Sequence, residues 1–110
     1  DNAEVRKRVR NLTKIHGMNP SRISQTNCEA YDKVASSVVS TWKGSIAAPY
    51  LMMQCSDSRH YGRISDKVYR FSAMDLTSEE RATIHGNNER IRVETALKAA
   101  EFYVRLMKQC

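Results

Sequence analysis

The sequence has no apolar run near the roughly eighteen residues that a bilayer-spanning helix needs, and its first residues are charged rather than signal-like. No membrane-inserted segment is expected. Cys28, Cys55 and Cys110 lack the Cys-x-x-Cys spacing of a zinc knuckle, and three cysteines do not make a disulfide framework. They read as free thiols, and the compartment stays open. Arg/Gly-rich arms, RNP-like aromatic strands and zinc-finger spacing are also missing, so a nucleic-acid partner is not expected even at a net charge of +6.

What is present is ordinary globular composition. Hydrophobic residues make up 41% and charged residues 27% of the 110, enough for one core but not two. The basic excess is concentrated at the start, where Arg6, Lys7, Arg8, Arg10 and Lys14 surround Val5, Val9 and Leu12 at helical spacing. A solvated basic helix face is the plain reading. The alternative function, from a different class, is a small basic binding module whose N-terminal helix contacts nucleic acid or an acidic protein; salt-dependent retention on a polyanion would favour it.

Gly17, Asn19 and Pro20 interrupt that helix. Thr26-Asn27-Cys28-Glu29 has capping-box spacing, which predicts a helix from about residue 27, with Tyr31, Val34, Ala35, Val38 and Trp42 on its buried side and an end at Lys43-Gly44. Ile46-Ala47-Ala48-Pro49-Tyr50-Leu51-Met52-Met53 is apolar on both faces and predicts a buried strand, with Pro49 at its start or at an irregular point. Lys67-Val68-Tyr69-Arg70-Phe71-Ser72 predicts a second strand parallel to the first. Thr77-Ser78-Glu79-Glu80 is a further capping box, and a last helix over 93–108 places Val93, Leu97, Ala100, Val104 and Met107 on one stripe. The expected fold class is α/β, a small partly parallel sheet packed with helices.

Two stretches carry the chemistry. Ser56-Asp57-Ser58-Arg59-His60-Tyr61 follows the first expected strand, and Ile84-His85-Gly86-Asn87-Asn88-Glu89-Arg90-Ile91 follows the second through a loop. Loops at the carboxyl ends of strands are where such sheets gather ligands, which predicts that Arg59 approaches His85. A neutral imidazole is a zinc ligand, and a guanidinium fork binds a carboxylate through two parallel bonds. An ion pair of Arg59 with Asp57 or Asp66 is the plainer role for that arginine.

These motifs resemble those of the co-catalytic zinc peptidases of the carboxypeptidase S and aminoacylase family, and the resemblance spans about residues 19–110, from Asn19-Pro20-Ser21 through Ala48-Pro49-Tyr50-Leu51 onward. It implies that His85 is a metal ligand, that Arg59 faces the substrate carboxylate, and that Asp57, Asn88 and Glu89 support them. It implies residues 1–18 as a remnant of a lid-domain helix and linker, and residues 19–110 as the C-terminal part of the catalytic domain. Two zinc ions, a peptide or N-acyl amino acid substrate and amide hydrolysis are implied for the whole enzyme, with the remainder of the catalytic domain as partner and a homodimer left open. The family's His-x-Asp motif, bridging Asp and Glu-Glu general base are missing, because Glu79-Glu80 sits in a capping context. The chain alone is therefore expected to hold at most a weak partial zinc site, to carry no catalytic residue and to be inactive. Gln54-Cys55 before Ser56 departs from the glycines of many family members.

Overall fold

The computed structural model of the chain describes residues 2–8, 17, 19–54 and 56–110. Among the described residues five helices follow one another: α1 (Asn2–Arg8), α2 (Glu29–Thr41), α3 (Ser58–Tyr61), α4 (Ser78–Ala82) and α5 (Val93–Met107). In α1, Glu4 pairs with Lys7 at 3.6 Å and with Arg8 at 3.3 Å, one helical turn on. Val9, Arg10, Leu12 and Lys14, on which the expected N-terminal stripe depends, lie outside the described residues, as does Cys55. None of the described helices is long and apolar enough to cross a membrane.

The core lies between α2 and α5. Phe102 is its centre, only 1% exposed, with the rings of Phe71, Tyr103 and Trp42 at 5.1, 5.2 and 5.8 Å. Burying such a ring stabilises by about 1.5–3 kcal/mol. Among the described residues Ala73 is the other buried apolar residue, and Ser37, Thr41 and Thr95 are buried beside it. Ser37 is satisfied across the helix pair, because its Oγ accepts a bond of 2.7 Å from the Gln109 amide just beyond α5.

Helix α2 forms where periodicity places it, but its start differs from expectation. The helix begins at Glu29, so Cys28 is the N-cap and makes no side-chain capping bond, and the Thr26–Glu29 box is not formed. Tyr31, Val34, Ala35, Val38 and Trp42 are half-buried. Helix α5 also matches, and the apolar stripe read from the sequence faces water: Val93 is 75% and Leu97 65% exposed, while Thr95 and Phe102 are buried. The helix has two apolar stripes, and the aromatic one faces the core.

The expected α/β fold with a small partly parallel sheet is not what the chain adopts. No strand occurs among the described residues, and the segments at 46–53 and 67–72 are not paired with each other. A strand exists only by virtue of a neighbour whose N–H and C=O groups complete its ladder, and an apolar run reports a tendency to be covered without naming that neighbour. Residues 46–53 instead expose Ile46, Tyr50, Leu51 and Met53. Residues 66–69 are held by a substitute for a strand: the Ser24 hydroxyl donates to the Val68 carbonyl at 2.8 Å and accepts the Val68 N–H at 3.1 Å, while the Gln25 N–H reaches the Asp66 carbonyl at 3.2 Å. The one core expected is found between α2 and α5, and the chain around it is extended. The radius of gyration is 17.8 Å, against about 13 Å for a compact domain of 100 residues.

Candidate active site

The first motif forms a single helical turn. The Arg59 N–H donates to the Ser56 carbonyl at 3.2 Å and the His60 N–H to the Asp57 carbonyl at 2.9 Å, so Asp57 opens α3 through its backbone and makes no side-chain cap. Gly62 ends the turn. Arg59 is half-buried, and its Nε donates to His60 Nε2 at 3.4 Å. Among the described residues no ion pair joins Arg59 to Asp57 or Asp66. Arg59 is among the residues lining a small cavity of about 20 Å³, together with Arg22, Arg70, Ser21, Ser58 and Asp66. That is room for one water molecule.

The second motif is positioned by chemistry that begins seven residues before it, at Thr77. Thr77 accepts the Glu80 N–H at 3.2 Å and Glu80 Oε2 accepts the Thr77 N–H at 2.8 Å, a complete capping box that starts α4. Arg92 then ties the far end back, donating from Nε to Glu80 at 2.9 Å and from Nη2 to the Asp75 carbonyl at 2.6 Å. The bonds from the Thr77 backbone, reinforced by the Arg92 guanidinium, hold the Glu80 carboxyl below its usual range, and Glu80 in turn raises the Arg92 guanidinium. Between these anchors the chain turns sharply. His85 and Asn88 both take left-handed backbone angles, φ 62° and 61°, which cost strain for residues with a Cβ but are best tolerated by Asn, Asp and His. Gly86 sits against the Thr83 carbonyl, where an added Cβ would stand 3.2 Å from the oxygen. Its hydrogen frees that approach to the backbone.

His85 is exposed on this turn. The Glu89 carboxylate supports it through the backbone, accepting the His85 N–H at 3.2 Å, and Asn88 contributes its carbonyl to Arg90 at 3.3 Å. The imidazole itself stays available as one ligand. The ligand set does not: the described residues contain no group of three or more His, Cys, Asp or Glu side chains that could hold a metal, and a catalytic zinc takes about three protein ligands. The described residues by themselves do not complete a zinc site.

The cavity lined by Arg59 does not include His85, and no hydrogen bond or ion pair between described residues joins the two. The predicted approach of Arg59 to His85 is not seen as a contact. Sequence reasoning missed Arg22 and Arg70 beside Arg59, since nothing in their spacing links positions 22, 59 and 70. It also missed the Arg92 tie, although the capping box marked one of its ends. A second, mostly apolar cavity of about 400 Å³ lies along the core edge, lined by Tyr61, Ile64, Val68, Phe71, Tyr103 and Leu106.

Cys28 and Tyr69 form a separate pair at 3.1 Å, in which Tyr69 also donates to the Gln25 carbonyl at 2.7 Å. Burial, with the Cys28 contact second, pushes the Tyr69 phenol up to about 12. The same bond lowers the Cys28 thiol.

No protein-family model and no solved structure matches the chain. Known proteins do. The chain is 26% identical to probable carboxypeptidase S-like 2 of Dictyostelium discoideum over 81% of its own length and 17% of that protein's. It is 29% identical to the N-fatty-acyl-amino acid synthase/hydrolase PM20D1 of Xenopus tropicalis over 88% of its length and 19% of that protein's. Probable carboxypeptidase S-like 1 of Dictyostelium discoideum is 30% identical over 82% of the chain and 19% of its own length. The chain thus spans less than a fifth of these relatives, and it belongs, as a part, to the carboxypeptidase S and aminoacylase family.

Proposed function

We propose that this chain is the C-terminal part of the catalytic domain of a zinc-dependent carboxypeptidase or N-acyl amino acid hydrolase. Residues 19–110 form that part, residues 1–18 are the remnant of a lid-domain helix and linker, and the chain alone is inactive. The observation that carries the reading is the similarity to carboxypeptidase S-like and N-fatty-acyl-amino acid synthase/hydrolase sequences over more than four fifths of the chain. The available imidazole on its strained turn and the half-buried Arg59, which forms no ion pair among the described residues, are consistent with it.

His85 contributes one ligand to a two-zinc centre whose other ligands come from residues beyond those present here. When bound, zinc would supply polarisation of the scissile carbonyl and activation of water. Arg59 receives the substrate carboxylate, because a planar fork offers two parallel charge-assisted bonds. Glu89 holds the His85 backbone, and Asp57 and Asn88 shape the two turns.

The test is made in the full-length protein. His85→Ala should lose bound zinc and lower amide hydrolysis by orders of magnitude, measured by metal analysis and by release of the free amino acid. Arg59→Ala should keep normal zinc and raise KM for substrates with a free carboxylate. Full metal content and turnover in the His85 variant would sink the ligand assignment.

A further inference from the structure

Resting on the reading of His85 as a zinc ligand, we propose that Arg92 is the positioning residue for that ligand: by tying the start of α5 back to Glu80 and Asp75, its guanidinium closes the turn that carries His85 and holds the imidazole ready for the metal. Two observations leave the geometry of this turn to polar ties. Every residue from 84 to 94 is exposed, so burial does not fix it. Yet His85 and Asn88 hold left-handed backbone angles, φ 62° and 61°, which residues with a Cβ keep only where the surrounding structure enforces them. The backbone angles at residue 85 set the direction of its Cα–Cβ bond, so relaxation of the turn would carry the imidazole away with it.

Two short bonds lie within the turn, from the Gly86 N–H to the Thr83 carbonyl at 2.9 Å and from the His85 N–H to Glu89 at 3.2 Å. Arg92 joins its two ends, reaching Glu80 at 2.9 Å and the Asp75 carbonyl at 2.6 Å. Both anchors are themselves fixed. The Glu80 side chain is only 11% exposed and also accepts the Thr77 N–H, while the Asp75 carbonyl also accepts the hydroxyl of buried Thr95 at 3.4 Å. Arg92 stands at the N-cap of α5 without capping it through its side chain, so the guanidinium serves the tie and not the helix. Closing a loop in this way removes conformations that the free segment would otherwise sample. A ligand held in place binds metal more tightly than one that must be ordered on binding, and loss of the groups that orient a ligand costs roughly 10–100-fold in metal affinity.

The experiment measures zinc binding to the full-length protein by chelator competition, together with amide exchange of its metal-free form. Arg92→Gln should raise the zinc dissociation constant about tenfold or more, and should speed exchange at the His85 and Gly86 amides about fivefold or more. Arg92→Lys keeps a cation for Glu80 but gives up the planar fork that also reaches Asp75, so its zinc dissociation constant should rise less, about threefold. Ser24→Ala loosens the chain away from this turn and should leave zinc affinity unchanged, which separates positioning from general stability. Should Arg92→Gln fail to fold, Arg92→Lys decides the matter. Wild-type zinc affinity in the folded Arg92 variants, or an equal weakening by Ser24→Ala, overturns the inference; zinc lost from His85→Ala then leaves the proposed function standing. Zinc affinity unmoved in His85→Ala as well overturns both.

Discussion

Arg92 ties back twelve and seventeen residues to Glu80 and Asp75, whereas Ser24 and Tyr69 work across forty-four residues to hold the segment after α3. The turn carrying His85 is thus closed by near neighbours in sequence, and the segment beside Arg59 by distant ones. Closing a longer loop costs more chain entropy, and the bonds that hold it are made only once the rest of the fold is in place. The two halves of the candidate site should therefore differ in how far they depend on the α2–α5 core.

The largest expected effect tests that dependence directly. Phe102→Ala removes the most buried ring and should destabilise the chain by about 3–5 kcal/mol, read from urea unfolding. In hydrogen exchange the Val68 amide should lose far more protection than the Glu80 amide. Equal losses would break the distinction between locally and distantly closed segments.

Smaller changes sharpen it. Ser24→Ala deletes both bonds to the Val68 backbone and should cost about 1–2 kcal/mol, since a part-buried N–H and C=O lose their partner. Thr77→Ala removes the N-cap of α4 and should cost about 1 kcal/mol. The first should speed exchange at Val68 and not at Glu80, the second the reverse. An effect of Thr77→Ala that spreads to Val68 would mean that the segments open as one unit.

The smallest effects are those of pH, and they have opposite signs in the two regions. Tyr69 is raised to about 12, so its contribution is complete below the ordinary phenol range near 10 and is lost as pH climbs from there, because the unfolded chain then holds fewer protons than the folded one. Glu80 is lowered, so its contribution is present above the ordinary carboxylate range and is lost as pH falls through its folded value. Amide exchange followed across pH, after correction for intrinsic rates, should show the Val68 segment loosening in alkali and the α4 segment in acid. Loosening of both in the same direction would contradict these assignments.

Legibility in the sequence follows the same division. The Thr77–Glu80 box was readable because both partners lie within four residues and each satisfies the other's backbone. The Thr26–Glu29 spacing is identical but does not form a box, since α2 starts at Glu29 itself and Cys28 turns to Tyr69. Of the candidate site, the two motifs were readable as strings, and the single helical turn at Arg59 and the sharp turn at His85 follow from short-range bonds. The company Arg59 keeps was not readable, because Arg22 and Arg70 are neighbours only after the loop before α2 folds over residues 66–70.

By itself the sequence determined where α2 and α5 run, the capping of α4 and the family to which the chain belongs, all of which rest on residues within a few positions of one another or on motifs read as strings. Tertiary structure alone decided which stripe of α5 is buried, because Phe102 can surround itself with Trp42, Phe71 and Tyr103 while Val93 and Leu97 find no cover. It also decided that residues 46–53 and 67–72 are not strands of one sheet. An apolar pattern encodes the tendency to leave water, which is non-directional, whereas a ladder requires a particular partner at hydrogen-bonding distance.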